Sequence, residues 1–195
     1  MTISTNDIQQ LRSKLGVGII DAKKALEEND GDLKKAEDAL RAKGIKSAEK
    51  RAGRTTKEGV VGEYVHTNGK EAALVAVACE TDFVARTDDF KQLAHDIALH
   101  IVAARPKYIR PEDVPAEVLL EEEKIWKQQL MNEGKPEKMF ENILKGKRNK
   151  YFEDVCLLKQ PFVKDDSQKI EDLVTHAITK MGENIQVTGF SLISV

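Results

Sequence analysis

Thr81, Asp82 and Phe83 place a hydroxyl, a carboxylate and a large aromatic ring side by side in the stretch CETDFVARTDDF, residues 79–90. The stretch follows an apolar run at 72–79 and precedes a periodic helical pattern, so these residues lie in a turn between a predicted strand and a predicted helix. They could cap the helix and fill the core beneath it. Alternatively, the turn could present an acid and an aromatic anchor to another protein, because aromatic rings supply much of the energy of interfaces. The spacing alone favours neither interpretation.

Other catalytic or metal-binding patterns are absent from the sequence. It contains no G-x-x-x-x-G-K-[ST] or G-x-G-x-x-G phosphate-binding loop, no HExxH motif and no nucleophile elbow. We interpret the histidines as structural or surface residues, since most single histidines do no chemistry. They are His66, His95, His100 and His176. We therefore expect neither an enzyme nor a bound cofactor or metal.

The composition is that of a charge-balanced chain. It carries 31 Lys and Arg against 33 Asp and Glu, a net charge of -2, within 195 residues. Such a balance exerts no general attraction on nucleic acid or an anionic membrane. Cys79 and Cys156 stand in apolar surroundings outside any CxxC pair, so we expect buried thiols in a reducing compartment. No apolar run approaches the roughly 20 residues that cross a bilayer. We expect a cytoplasmic protein without direct nucleic-acid or membrane binding.

Residues 5–45 show the periodicity of three short helices. We expect the first to end at Gly16, the second to begin near Ile19, and the third to end at Gly44. A glycine suits the left-handed position that follows a helix. Residues 46–58 carry five cations and two anions. We interpret them as a partly helical linker in preference to a nucleic-acid site, because most charge runs are solvated connectors.

The residues beyond 58 predict an α+β core. Asn68-Gly69 indicates a two-residue turn between antiparallel strands, and apolar residues on both faces of the second strand indicate that it is covered on both sides. We then expect a helix at about 88–105, helical segments between 116 and 158, a loop at KQPFVKDD, a last helix from Ser167, and a closing strand with a bulge at Gly189. The predicted fold is α+β, with an N-terminal three-helix unit and about three antiparallel strands packed on helices.

Several stretches resemble the translation elongation factor Ts family. They are LGVGIIDAKKALEENDGDLKKAEDALRAKGI, CETDFVARTDDFKQLAHDIALHI, EGKPEKMFENILKGKRNKYFEDVCLLKQPFVKDD and MGENIQV. The resemblance implies a ubiquitin-associated-like (UBA-like) three-helix domain with its linker at 1–54, and an α+β core and dimerisation domain at 55–195. Longer members have two core subdomains and an inserted helical hairpin, which 195 residues cannot all hold. The resemblance therefore implies a short form in which a homodimer supplies the second module.

The same resemblance implies a function. Members of this family exchange the guanine nucleotide of elongation factor Tu, the GTPase that delivers aminoacyl-tRNA to ribosomes. By that likeness, the residues that displace Mg²⁺ from the GTPase are Thr81, Asp82, Phe83 and Val84. The residues that contact its nucleotide-binding domain are Gly16, Val17, Gly18, Ile19, Ile20 and Lys23. The alternative is a UBA-type adaptor that binds a partner protein without exchange activity, which the N-terminal segment alone would permit.

Overall fold

A computed structural model describes residues 3–195, so Met1 and Thr2 of the predicted N-terminal domain lie outside the described residues. The helices are α1 (Thr5–Leu15), α2 (Ile19–Glu28), α3 (Leu33–Arg51), α4 (Asp82–Ala85), α5 (Asp88–Ala104), α6 (Ala116–Asn132), α7 (Phe140–Val155) and α8 (Ile170–Met181). The strands are β1 (Glu58–Val65), β2 (Glu71–Cys79), β3 (Pro161–Phe162), β4 (Asp165–Lys169) and β5 (Gln186–Ser194). Short 3-10 helices lie at Pro111–Asp113, Glu137–Met139 and Leu157–Lys159. The mixed helices and antiparallel sheet confirm the α+β class.

The first three helices pack around a small apolar core of their own. α1 begins where the Ser4 side chain accepts a hydrogen bond from the Asn6 N–H, and it ends at Gly16 with a left-handed φ of 63°. The end at Gly16 confirms the prediction from the sequence. The buried residues of this core are Leu11, Leu15, Ala22, Ala25, Leu26, Ala36 and Leu40.

The predicted end of the third helix at Gly44 is wrong. α3 continues through Gly44 to Arg51. A Cβ built at Gly44 would lie 3.3 Å from the hydroxyl of Thr179 and 3.6 Å from the methyl of Thr175, both on α8. Gly44 therefore lets α3 and α8 pack closely, and this packing outweighs the tendency of glycine to end a helix.

The main sheet has the strand order β1-β2-β5, and both pairings are antiparallel. The predicted two-residue turn at Asn68-Gly69 is wrong. The His66 N–H donates to the Glu71 carbonyl, which leaves the four residues 67–70 in the loop, and of the Asn68-Gly69 pair Gly69 alone has a positive φ. One left-handed residue suits a longer loop built on an ordinary turn, whereas the two-residue loop would need two.

The two faces of this sheet differ, and the prediction that β2 is covered on both sides is wrong. One face packs on α5 and α8, and it buries Ala73, Val75, Val77 and Cys79. The opposite face is open, with large apolar side chains exposed at Val61, Val65, Leu74 and Ile193. The small residues Ala72 and Ala76 lie between them in the strand pairings. We call this exposed apolar surface the outer sheet face.

The closing strand contains the expected bulge. Ala76 pairs with Gly189 but Val77 pairs with Val187, so Thr188 is the extra residue. The bulge changes the phase of β5, and it lets Val187 and Phe190 both contact the main core.

A helical hairpin, α6 and α7, extends the core, so this short chain does contain such a hairpin. Trp126, Leu130 and Leu144 are buried between its helices, and the Trp126 ring meets Tyr151 edge to face at 5.9 Å between ring centroids. The predicted loop KQPFVKDD is wrong, because β3 and β4 form a two-stranded ribbon there and α8 begins at Ile170 instead of Ser167. Across residues 3–195, no helix is both long and apolar enough to cross a membrane.

Candidate functional site

Phe83 projects from a sharp strand-to-helix junction. It lies in the one-turn helix α4, directly after β2, and 80% of its surface is exposed. On the same turn Ala85 is buried and Val84 packs against the main core. The helix is therefore anchored on one side and presents its aromatic ring on the other. We call residues 81–84 the tip.

The polar residues of the tip complete the turn. The Thr81 hydroxyl accepts a hydrogen bond from the Val84 N–H at 3.4 Å, which caps α4. The Asp82 carboxylate lies 2.9 Å from the Arg86 guanidinium, and both side chains remain largely accessible to solvent. An exposed pair of this kind contributes little to stability, so Asp82 is free to exchange Arg86 for a group on another molecule.

Glu183, which follows α8, holds the tip from behind. Its Oε2 accepts the N–H groups of Glu80 and Thr81, both at 3.0 Å, and its Oε1 accepts the Thr81 hydroxyl at 2.6 Å. Hydrogen bonds to an ionised carboxylate are stronger than bonds between neutral groups. The sequence interpretation gave Glu183 no role, and its only signal was its place in the family-like segment MGENIQV.

The side chain of Glu80 accepts a hydrogen bond from the residue that follows Glu183. Its Oε1 accepts the Asn184 N–H at 2.6 Å and lies 3.4 Å from the Arg54 guanidinium. The side-chain amide of Asn184, itself buried, donates to the carbonyl of Arg54 at 2.8 Å. The tip, the end of α8 and the segment after α3 are thus joined in one hydrogen-bonded network.

The second predicted group of site residues forms a separate surface at the start of α2. Ile19 and Ile20 are 56% and 83% exposed, although both are large and apolar. Lys23 is also exposed and lies 3.7 Å from Glu27 on the next turn. Gly16, Val17 and Gly18 form the turn that leads into the helix. Within residues 3–195, no hydrogen bond or ion pair joins this surface directly to the tip.

Lys180 of α8 lies between the two surfaces. Its side chain passes Gly16, where an added Cβ would lie 3.7 Å from the lysine Cδ. Its ammonium group pairs with Asp89, in the first turn of α5, at 2.7 Å. One face of α8 therefore supports both the turn at Gly16 and the helix that follows the tip.

Burial shifts the pKa values of several ionisable groups outside these two surfaces. Burial raises the pKa of the Cys156 thiol to about 11 and also raises the pKa of Cys79, so both thiols stay protonated near neutral pH. His100 is buried against Gln160, and this burial lowers its pKa. In the part of the chain that the structure describes, no three His, Cys, Asp or Glu side chains are grouped so that they could hold a metal ion.

Comparison with known proteins extends the likeness over almost the whole chain. A family model described as Elongation factor TS matches residues 20–195. Elongation factor Ts of Thermotoga petrophila is 51% identical over 191 residues, which cover 98% of this chain and 95% of that protein. The protein of the same name from Maridesulfovibrio salexigens is 48% identical over 195 residues, covering 100% and 95%. That of Carboxydothermus hydrogenoformans is 48% identical over 188 residues, covering 96% and 87%.

Proposed function

The chain belongs to the elongation factor Ts family, and on that premise we propose that it is a guanine-nucleotide exchange factor for elongation factor Tu. It binds the GTPase in its GDP form, displaces Mg²⁺ and promotes GDP release, so that GTP can bind during translation elongation. It catalyses no covalent step. The observation that carries the proposal is the exposed Phe83 ring on a tip that is hydrogen-bonded to Glu183 on its protein side.

Mg²⁺ loss is the step that weakens GDP binding. The metal neutralises the phosphate oxygens, so its removal leaves the diphosphate with unscreened repulsion in a partly dry site. We assign Phe83 the role of filling an apolar slot in the GTPase, with Val84 at its base, and of shifting the segments that hold the metal. We call this action of Phe83 the wedge. Thr81 fixes the turn, and Asp82 adds polar contacts.

The exchange factor needs only to bind the nucleotide-free GTPase more tightly than the GDP form. By thermodynamic reciprocity, GDP then binds the complex more weakly by the same factor. A coupling of about 4 kcal/mol corresponds to roughly a thousandfold change in affinity. No group that reacts with the nucleotide is required.

The surface at the start of α2, residues 16–20 and Lys23, supplies the second contact, and we call it the docking surface. Ile19, Ile20 and Lys23 meet the nucleotide-binding domain of the GTPase, and the turn at 16–18 sets the direction of α2. The exposure of both isoleucines supports this role, because adjacent exposed apolar side chains offer area that a partner can remove from water. Residues 1–54 form a UBA-like domain with its linker in this proposal, and 55–195 form the core.

The protein acts as a homodimer in the cytoplasm. The outer sheet face supports the dimer, because its apolar side chains face solvent in a single chain and a second copy would cover them. Direct binding of nucleic acid or membrane has no part in the mechanism.

The direct test measures nucleotide release from elongation factor Tu loaded with a fluorescent GDP. Adding the chain should accelerate release in a stopped-flow trace, and excess Mg²⁺ should oppose the acceleration. An adaptor without exchange activity would bind the GTPase, or another partner, and leave the release rate unchanged. That result would exclude the exchange role.

A further inference from the structure

The carboxylate of Glu183 binds the tip and the residue before it, not the turn to which Glu183 belongs. Glu183 follows Gly182, whose left-handed φ of 75° ends α8. All three donors that Glu183 accepts belong to Glu80 and Thr81. The side chain therefore acts on the strand-to-helix junction, although it lies about a hundred residues further along the chain.

The helix that carries Phe83 depends on this support. α4 contains four residues, and a single helical turn is not stable by itself because nucleation costs more than its few hydrogen bonds return. Its cap is the Thr81 hydroxyl, which accepts the Val84 N–H while it donates to Glu183. Glu183 thereby orients the hydroxyl so that its lone pair faces the helix. Without that acceptor the hydroxyl can rotate, and the backbone N–H of Thr81 loses its partner.

Glu183 is itself held in place. The Arg51 guanidinium, at the end of α3, donates to the carbonyl of Gly182 at 3.0 Å. The backbone N–H of Asn184, on the other side, donates to Glu80. Because Gly182 and Asn184 are both held by hydrogen bonds, the Glu183 carboxylate lies at a fixed place beside the tip.

From these contacts we infer that Glu183 is the positioning residue for Phe83 in nucleotide exchange. It does not touch the GTPase. Its carboxylate holds the junction at Glu80 and Thr81 so that the ring points outward before the partner arrives, which lowers the ordering cost of docking. We call these contacts of Glu183 the clamp. This inference rests on the proposed exchange function, and it adds a residue that acts through Phe83.

The test compares Glu183→Ala with Glu183→Gln. Glu183→Ala removes all three acceptor contacts, and we expect it to slow GDP release from elongation factor Tu by roughly tenfold or more. Glu183→Gln can still accept the two backbone N–H groups through its amide oxygen, so it should restore part of the rate. Glu171→Ala is the matched control, because Glu171 lies in the first turn of α8, the helix that precedes Glu183, and pairs with Lys159 at 2.7 Å, away from the tip. It should keep the wild-type rate.

A double-mutant cycle with Phe83→Ala separates positioning from a general loss of structure. If Glu183 acts through the ring, Glu183→Ala should slow release in the wild-type background but change little once Phe83 is already alanine. A full, additive effect in the Phe83→Ala background would overturn the inference. So would a wild-type rate for Glu183→Ala when Phe83→Ala is slow.

Amide hydrogen exchange of the free chain tests the clamp without the GTPase. Glu183→Ala should raise the exchange rates of the Thr81 and Val84 amides selectively, while amides in the middle of β2 keep their protection. Unchanged protection at Thr81 would refute the clamp. If Phe83→Ala itself leaves release unaffected, the proposed wedge fails, and the amide exchange result still decides whether Glu183 orders the tip.

Discussion

The Thr81 hydroxyl donates to the Glu183 carboxylate at 2.6 Å, although the two residues are 102 positions apart in the sequence. This contact joins the loop after the first hairpin to the turn before the last strand. It ties the turn that carries the exposed Phe83 ring to a distant part of the chain.

Phe83→Ala should slow GDP release strongly while leaving the fold intact. Removing an aromatic anchor from an interface costs about 2 kcal/mol or more, which corresponds to a rate at least about thirtyfold lower if the contact forms in the release step. The exposed ring contributes little to the isolated chain, so its free energy of unfolding should change by only about 0.5 kcal/mol. Stopped-flow release of fluorescent GDP and urea denaturation measure the two effects.

The matched control for the ring is Leu120→Ala, which removes another exposed, large apolar side chain, on α6 and outside the tip. Its release rate should equal that of the wild type. A wild-type rate for Phe83→Ala would contradict the wedge mechanism.

Ile20→Ala should weaken binding to the GTPase more than it slows release at saturation. Ile20 belongs to the docking surface and not to the tip, so its loss removes binding energy without removing the wedge. We expect the concentration of the chain that gives half-maximal release to rise by about tenfold, the effect of losing about 1.4 kcal/mol. The concentration dependence of the release rate measures this. Ile45→Ala, an exposed residue of α3, serves as the control, and equal behaviour of the two variants would argue against the surface.

Leu74→Glu should convert the proposed homodimer into a monomer. Leu74 lies near the middle of the outer sheet face, where a dimer would bury a charge without a partner. The side chain is 46% exposed in the single chain, so the folded monomer should tolerate the substitution. Sedimentation at micromolar concentration measures the mass. The wild type should sediment as a dimer, as should Ile125→Glu on α6; a wild-type monomer would refute the dimer.

Gly62→Ala should destabilise the core. A Cβ at Gly62 would lie 2.5 Å from the backbone carbonyl carbon of Ala94, so β1 and α5 would have to separate. Overpacking of this kind costs about 1–3 kcal/mol, and a clash with backbone belongs at the upper end. Urea denaturation with circular dichroism measures the free energy of unfolding.

Gly146→Ala provides the opposite case for the same substitution. Gly146 lies inside α7, and nothing stands within 4 Å of the added Cβ. Alanine should therefore stabilise the chain by about 0.5–1 kcal/mol through its higher helix propensity. If both substitutions changed the free energy of unfolding in the same direction, close packing at Gly62 would not explain the lower stability of Gly62→Ala.

Acidification should destabilise the fold through His100. Its Nε2–H donates to Gln160 at 3.0 Å and its Nδ1 accepts the Val163 N–H at 3.3 Å, so the buried ring is neutral. Burial lowers the pKa of His100 in the folded chain. As the pH falls below about 6.5, the unfolded chain binds a proton that the folded chain does not, and stability declines by up to about 1.4 kcal/mol per pH unit.

Urea denaturation between pH 7.5 and 5.5 measures this slope for the wild type and for His100→Gln. The variant should be less stable at pH 7.5 but should lose part of the slope. His176, whose pKa burial also lowers, should account for a separate part that His176→Gln removes. A His100→Gln chain that kept the full wild-type slope would contradict this assignment.

Features set by neighbouring residues could be predicted from the sequence. The capping hydrogen bonds at Ser4, Gly16 and Thr81 join residues a few positions apart in the sequence. The helix ends at these residues therefore follow from local chemistry. The tip could be singled out for the same reason, since an acid and an aromatic ring meet in one turn.

Features set by distant contacts could not be predicted. α3 runs past Gly44 because α8 packs against it, and the KQPFVKDD segment pairs as β3 and β4. The Glu183 clamp joins residues that no local pattern relates. The exposure of the outer sheet face could not be predicted either. A strand with apolar residues on both faces has the same sequence pattern whether a second layer of structure covers its outer face or leaves it in solvent.

The unbroken α3 has a mechanical consequence. This helix leaves the N-terminal unit, packs on α8 at Gly44 and then binds the end of α8 through Arg51. These contacts fix the spacing between the surface at the start of α2 and the tip. If both surfaces bind one GTPase as proposed, the first contact presents the second surface at a high effective concentration, with little entropy left to lose. The spacing between the two surfaces is thus set in the free chain, before any partner binds.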